Sequence, residues 1–191
     1  MVRDIRSMGT LQQAHLEHNK IYAALYTNNP GYDWHWAIYF HHNHLDAKGR
    51  PVPGYKLHAT NRFGPWQFEC ADQDLLTSST LITVARIGSV ADSTWGVEFL
   101  LEYLRNIPMR VPAADQEHER EFSCRLWFRE AIRILNYAQV FVRCPDVNKL
   151  ERELSSQTRL AEAAAMRDQS IAFETASPVF ISKNAGAWSS D

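Results

Sequence analysis

Cysteine is scarce in this sequence. Cys70, Cys124 and Cys144 stand far apart with no CxxC pair. That spacing gives neither a disulfide framework nor a structural zinc site, and it points to a reducing compartment, the cytoplasm. No stretch approaches the ~20 apolar residues that span a bilayer, and residues 1–10 carry charges without the apolar run of a signal peptide. Integral membrane association is therefore not expected. Charge of one sign is also missing: 20 basic against 22 acidic residues leave −2, which offers no general field for nucleic acid or an anionic membrane. Internal repeats and low-complexity tracts are absent. What remains is a 191-residue chain, 45% hydrophobic and 12% aromatic, enough to bury one core. A single domain over 1–191 is expected, with its core in 21–135 and a C-terminal helix and tail in 146–191.

The apolar run Ile21 to Tyr26 reads as a strand ended by the turn-forming cluster Thr27-Asn28-Asn29-Pro30-Gly31. In the next strand Trp34, Trp36, Ile38 and Phe40 share one face, leaving His35, Ala37 and Tyr39 on the other. Polar residues from His41 to Gly54 suggest a long exposed hairpin connection, with Tyr55 to Thr60 returning and His58 on its polar face. Trp66 to Cys70 and the β-branched Leu81 to Gly88 complete four or five strands.

Helical spacing then takes over. Asp92 or Ser93 offers a cap to a helix reaching about Asn106, and Ser123 caps another in which Trp127, Phe128, Ala131, Ile132 and Leu135 form an apolar stripe. Ala138 to Val142 looks strand-like, Val147 to Asp168 reads as a surface helix, and the tail after Ile171 either docks as a strand or stays loose. The expected fold class is α+β, a mostly antiparallel sheet packed with helices.

Cys124 falls in the first turn of its helix, where unpaired backbone N–H groups and the positive end of the dipole favour thiolate over thiol. A thiol nucleophile needs an imidazole to take its proton, a role open to His35, and a third polar group to orient that imidazole, open to His58. Each has a plainer reading: a small buried hydrophobe for Cys124, and strand residues of structural or solvent-facing kind for the histidines. Cys70 and Cys144 lack a helix start and read as structural. Trp36, Tyr39 and Trp66, with Arg125 beside the cysteine, are candidates to contact substrate, although strand aromatics are usually core. His41, His42 and His44, with Asp46, invite a metal reading, but without a cysteine pair or an HExxH frame no built metal site is expected. No cofactor is expected either.

The string His35-Trp36-Ala37-Ile38-Tyr39, followed by Lys56-Leu57-His58-Ala59 and by Ser123-Cys124 opening a helix, resembles the circularly permuted NlpC/P60 superfamily and, within it, the lecithin:retinol acyltransferase-like branch. The resemblance implies a papain-like α+β arrangement with His35 as base, His58 as orienting residue and Cys124 as nucleophile. Ser123 stands where that branch usually has Asn, and no apolar C-terminal anchor is present, which points away from a phospholipid substrate. With Trp66-Gln67-Phe68-Glu69 included, the chain also resembles a group of small uncharacterised fungal proteins. The expectation is a hydrolase or acyltransferase acting on an ester, thioester or amide of a small molecule or peptide. A silent binding protein on the same fold is the alternative, and a histidine-loop metal protein a more distant one.

Overall fold

Strand β1, Lys20–Tyr26, explains why its sequence is apolar without interruption. Ile21, Ala23 and Leu25 enter one core while Tyr22, Ala24 and Tyr26 enter another on the opposite face, so the strand is buried on both sides. The computed structural model describes residues 16–27, 34–90, 95–139, 141–167 and 179–188. Around β1 lie β2 (His35–Leu45), β3 (Pro51–Thr60), β4 (Gln67–Asp72), β5 (Leu81–Ser89) and β6 (Val179–Ile181), in the order β4-β3-β2-β1-β5-β6. All neighbours are antiparallel except the β5–β6 pair.

Among the described residues there are three α-helices, α1 (Val97–Leu104), α2 (Cys124–Ala138) and α3 (Val147–Arg167), all between β5 and β6. The apolar sides of all three enter the core that Trp36, Ile38, Phe40, Leu57 and Ala59 offer from the sheet. The result is one α+β domain with its helices on one sheet face. Ser123 Oγ accepts from the Leu126 N–H, and Gln139 closes α2 in the left-handed conformation at φ 58°.

Several expectations need correction. The polar stretch from His41 is no long loop: β2 runs on to Leu45 and β3 begins at Pro51, because the ladder to β1 continues through Lys20↔His41 and a bulge between His41 and His44 absorbs the irregularity. The connection is a short turn in which Asp46 Oδ1 accepts from the Lys48 and Arg50 N–H groups and Gly49 supplies φ 74°. Where Ala138 to Val142 is expected as a strand, the helix carries to Ala138, and Phe141 and Val142 are buried core residues beside Gly88, where a Cβ would collide with the Phe141 carbonyl; Val140 lies outside the described residues. Helix α1 starts only at Val97, behind Gly96, and ends at Leu104; Asp92, Ser93 and the turn residues 28–31 lie outside the described residues. The tail adds a sixth strand, β6, while Phe173 lies outside the described residues. Among the described residues no helix is long and apolar enough to cross a membrane.

Candidate active site

The β2–β3 ladder stops at Ile38↔Leu57, although β1 stays paired with β2 to Tyr26↔His35 and β4 with β3 to Thr60↔Gln67. Strands β2 and β3 thus part over the first residues of β2 and the last of β3, while each remains held on its far side. His35 and His58 stand on either side of this gap and close it with side chains, His35 Nε2 to His58 Nδ1 at 2.8 Å, the rings edge to face.

The start of α2 comes to the same place. Cys124 Sγ lies 4.0 Å from the carbonyl oxygen of Trp34, and the N–H groups of Trp36, Arg125 and Cys124 itself are turned toward the sulfur. The thiol is therefore seated against the backbone on both sides of His35. Sulfur and imidazole are not hydrogen-bonded to each other; His35 Nδ1 makes no hydrogen bond among the described residues, and its Nε2 is engaged by His58.

The protonation states correct the expectation of a thiolate. Burial pushes the Cys124 thiol up, against the lowering effects of three backbone N–H groups and the Lys56 charge. With only 7% of the residue exposed, desolvation outweighs the helix start. The imidazoles move the opposite way: burial and then the Lys56 charge push His35 down to about 4, while burial, Lys56 and His35 together push His58 to about 3. At neutral pH the site holds a thiol beside a neutral histidine pair. Cys70 and Cys144 are also free thiols, and burial pushes each up to about 11.

Two residues that sequence reasoning passed over belong to this site. Lys56, two residues before His58 on the same strand face, is partly buried with its Nζ 4.2 Å from the Tyr26 ring centre, and its charge acts on His35, His58 and Cys124. Glu69 is the cross-strand partner of His58, its Oε2 3.9 Å from His58 Nε2, near enough to favour one ring orientation but too far for a hydrogen bond. The alternation Lys56, His58 was legible; a lysine on a polar strand face simply reads as solvated.

The proposed substrate-contacting residues fare unequally. Trp36 and Tyr39 are 1% and 0% exposed, Trp36 packing on Phe128 and Tyr39 donating to the Gln73 carbonyl, so both are core. Arg125 is committed to ion pairs with Glu119 and Glu151. Trp66 is half-buried, edge-on to Phe122, two residues before the thiol. His42 and His44 are bound to Asn19 and Asp72, and among the described residues no group of three or more potential ligands is arranged to hold a metal. A depression of about 380 Å³ lined by Pro108, Pro112, Gln116 and Glu130 includes none of the three candidate catalytic residues.

Helix α3 braces both halves of the site. Its Glu151 pairs with Arg125, next to the thiol, and its Glu162 accepts from the Trp34 indole N–H at 2.8 Å, next to His35.

The chain is thus one α+β domain in which a helix-start cysteine is seated on the backbone either side of His35, at a parted end of the sheet bridged by a histidine pair. The chain belongs to a family described only as a family of unknown function (DUF6540), whose model it matches over residues 21–142. That span takes in His35, His58 and Cys124 and stops short of α3. No curated protein and no solved structure matches the chain.

Proposed function

We propose that this protein is a cysteine-dependent acyl-transfer enzyme of the reducing cytoplasm, a hydrolase or acyltransferase on an ester, thioester or amide, with the permuted papain-like arrangement of the NlpC/P60 superfamily and its lecithin:retinol acyltransferase-like branch. One observation carries the reading: Cys124 Sγ lies beside the backbone that bears His35, at the gap bridged by the His35–His58 hydrogen bond. A purely structural cysteine has no need of a histidine pair at an interrupted ladder.

The chemistry follows from the neutral pair. The proposal assigns the shared proton to His35 Nε2, donating to His58 Nδ1 across the 2.8 Å contact, which leaves His35 Nδ1 unprotonated and able to act as base. As Cys124 Sγ attacks the acyl carbon, its proton passes to Nδ1 and the carbonyl electron pair moves to oxygen, where the N–H groups of Cys124 and Arg125 offer stabilisation. Collapse expels the leaving group, which takes the proton from His35 and leaves a thioester on Cys124. Water, an alcohol or an amine then attacks the thioester, loses its proton to His35, and the thiol is restored.

The alternative, a silent binding protein, is favoured by the low exposure of the thiol and by the missing sulfur–imidazole hydrogen bond. Labelling with a small electrophile near neutral pH separates the two readings. The proposal expects Cys124 to react ahead of Cys70 and Cys144, and the reaction to slow in His35→Ala. Uniform slow labelling of all three, or labelling only after unfolding, contradicts it and leaves the binding reading.

A further inference from the structure

Within the site, Lys56 has the least evident structural purpose. Its ammonium is partly buried, rests over the Tyr26 ring and makes no ion pair among the described residues. Glu69, the nearest acidic influence on it, is 41% exposed at the rim and turned to His58. Burial of an ammonium without a bound counter-charge costs stability, and burial does lower the Lys56 pKa. For folding alone, a methionine would serve better at this position. The charge also works against the base, since it disfavours the protonated form that His35 must take up during reaction. Such a cation is best explained by a negative charge that arrives with the substrate.

We infer that Lys56 is the receptor for an anionic group of the acyl donor, so that the substrate is an acyl compound carrying a carboxylate a few bonds from the scissile carbonyl. The inference rests on the acyl-transfer reading. Lys56 and His58 lie two residues apart on one strand face, on the order of 7 Å along β3. The Lys56 charge reaches Cys124 as well as both imidazoles, so a carboxylate on Lys56 and a carbonyl at Cys124 would be joined by a short aliphatic spacer. A single ammonium matches a single negative charge. Its neutralisation on binding would also lift the electrostatic penalty on His35, so that the substrate itself raises the basicity of the group that must deprotonate the thiol.

The test compares glutaryl and valeryl thioesters of one small thiol, matched in chain length and leaving group, by the rate at which each acylates Cys124 of the full chain. The expected preference for the glutaryl compound is on the order of tenfold to a hundredfold, the range of a charge-assisted hydrogen bond. Lys56→Met should abolish the preference and Lys56→Arg should keep most of it. The ratio is the readout because Lys56 also acts on the thiol, so that both absolute rates will shift. Equal rates in the wild-type protein, or a preference that survives in Lys56→Met, overturn the inference. Free glutaramate, with pentanamide as neutral control, tests the same contact without turnover. Protection of Cys124 from alkylation by glutaramate alone, lost in Lys56→Met, supports the anion receptor; absence of protection overturns it. Should neither thioester acylate Cys124 while glutaramate protects, the acyl-transfer reading fails and the anion site stands.

Discussion

Strand β2 carries histidines at both ends, and His42 and His44 at one end are used in a different way from His35 at the other. At the far end, His42 Nδ1 is bound to Asn19, His44 Nε2 to Asp72, and their rings stack on Phe40 and Tyr55. There β3 is still paired with β2, out to Leu45↔Pro51, and the imidazoles act as small aromatic struts. At the near end the ladder has stopped, and His35 meets a second histidine and the backbone that seats a thiol. An imidazole whose nitrogen faces an acceptor, as His42 faces the Asn19 amide oxygen and His44 the Asp72 carboxylate, keeps its proton there. Between another neutral imidazole and an unbonded nitrogen it keeps a lone pair available. What separates the two ends is what the neighbouring strand has left unpaired.

Alanine at each end of β2 should separate the two roles. His35→Ala should slow acylation of Cys124 by roughly 10²–10⁴-fold, the usual contribution of a general base, measured by single-turnover mass spectrometry. His42→Ala should leave that rate within about twofold and lower stability by about 1 kcal/mol in urea titration, the net value of one hydrogen bond. A comparable rate loss from both would mean that the contrast is false.

A smaller effect is expected from α3. Because Glu162 holds Trp34 and Glu151 holds Arg125, Glu162→Gln combined with Trp34→Phe should misplace His35 relative to the thiol. We expect a loss of about tenfold in acylation with circular dichroism unchanged, since sub-ångström displacements at a reacting centre cost rate out of proportion to stability. An unchanged rate would reduce α3 to packing.

Fold and site were legible in the sequence to different depths. The period-2 pattern of β2 placed His35 opposite Trp36, and the Ser123 cap placed Cys124 at a helix start, as the structure has them. Those are local regularities, and local regularities survive folding. The histidine-rich continuation of β2 read as loop because its rings owe their burial to Asn19, Tyr55 and Asp72, which come from three other segments. The state of the thiol was misread for a related reason: the helix-start N–H groups are visible in sequence, whereas the burial that outweighs them is a property of the assembled core. The end of the β2–β3 ladder, the feature that makes the site, leaves no mark on composition at all.

Acid should act on the buried rings of both ends. Burial lowers His35, His58, His41 and His42 below the ordinary 6.5, so the unfolded chain binds more protons than the native one as pH falls through that value. Stability contributed by these neutral rings is therefore complete above pH 6.5 and declines below it. The share of His35 and His58 continues to decline toward about pH 4 and pH 3. Thermal melts across pH 3–7 should show this fall, and His35→Asn with His58→Asn should flatten its lower part. A profile unchanged by the double substitution would contradict the buried neutral pair. The smallest effect is expected at His44, whose pairing with the half-exposed Asp72 should be worth under about 1 kcal/mol when tested by His44→Gln.

The central claim, that thiol and histidine pair act as one unit, is tested most directly by intact-mass analysis of the full chain quenched during exposure to an activated thioester near neutral pH. A single acyl adduct is expected on Cys124, absent in Cys124→Ala and strongly slowed in His35→Ala. No adduct, or acylation spread evenly over Cys70, Cys124 and Cys144, would contradict it.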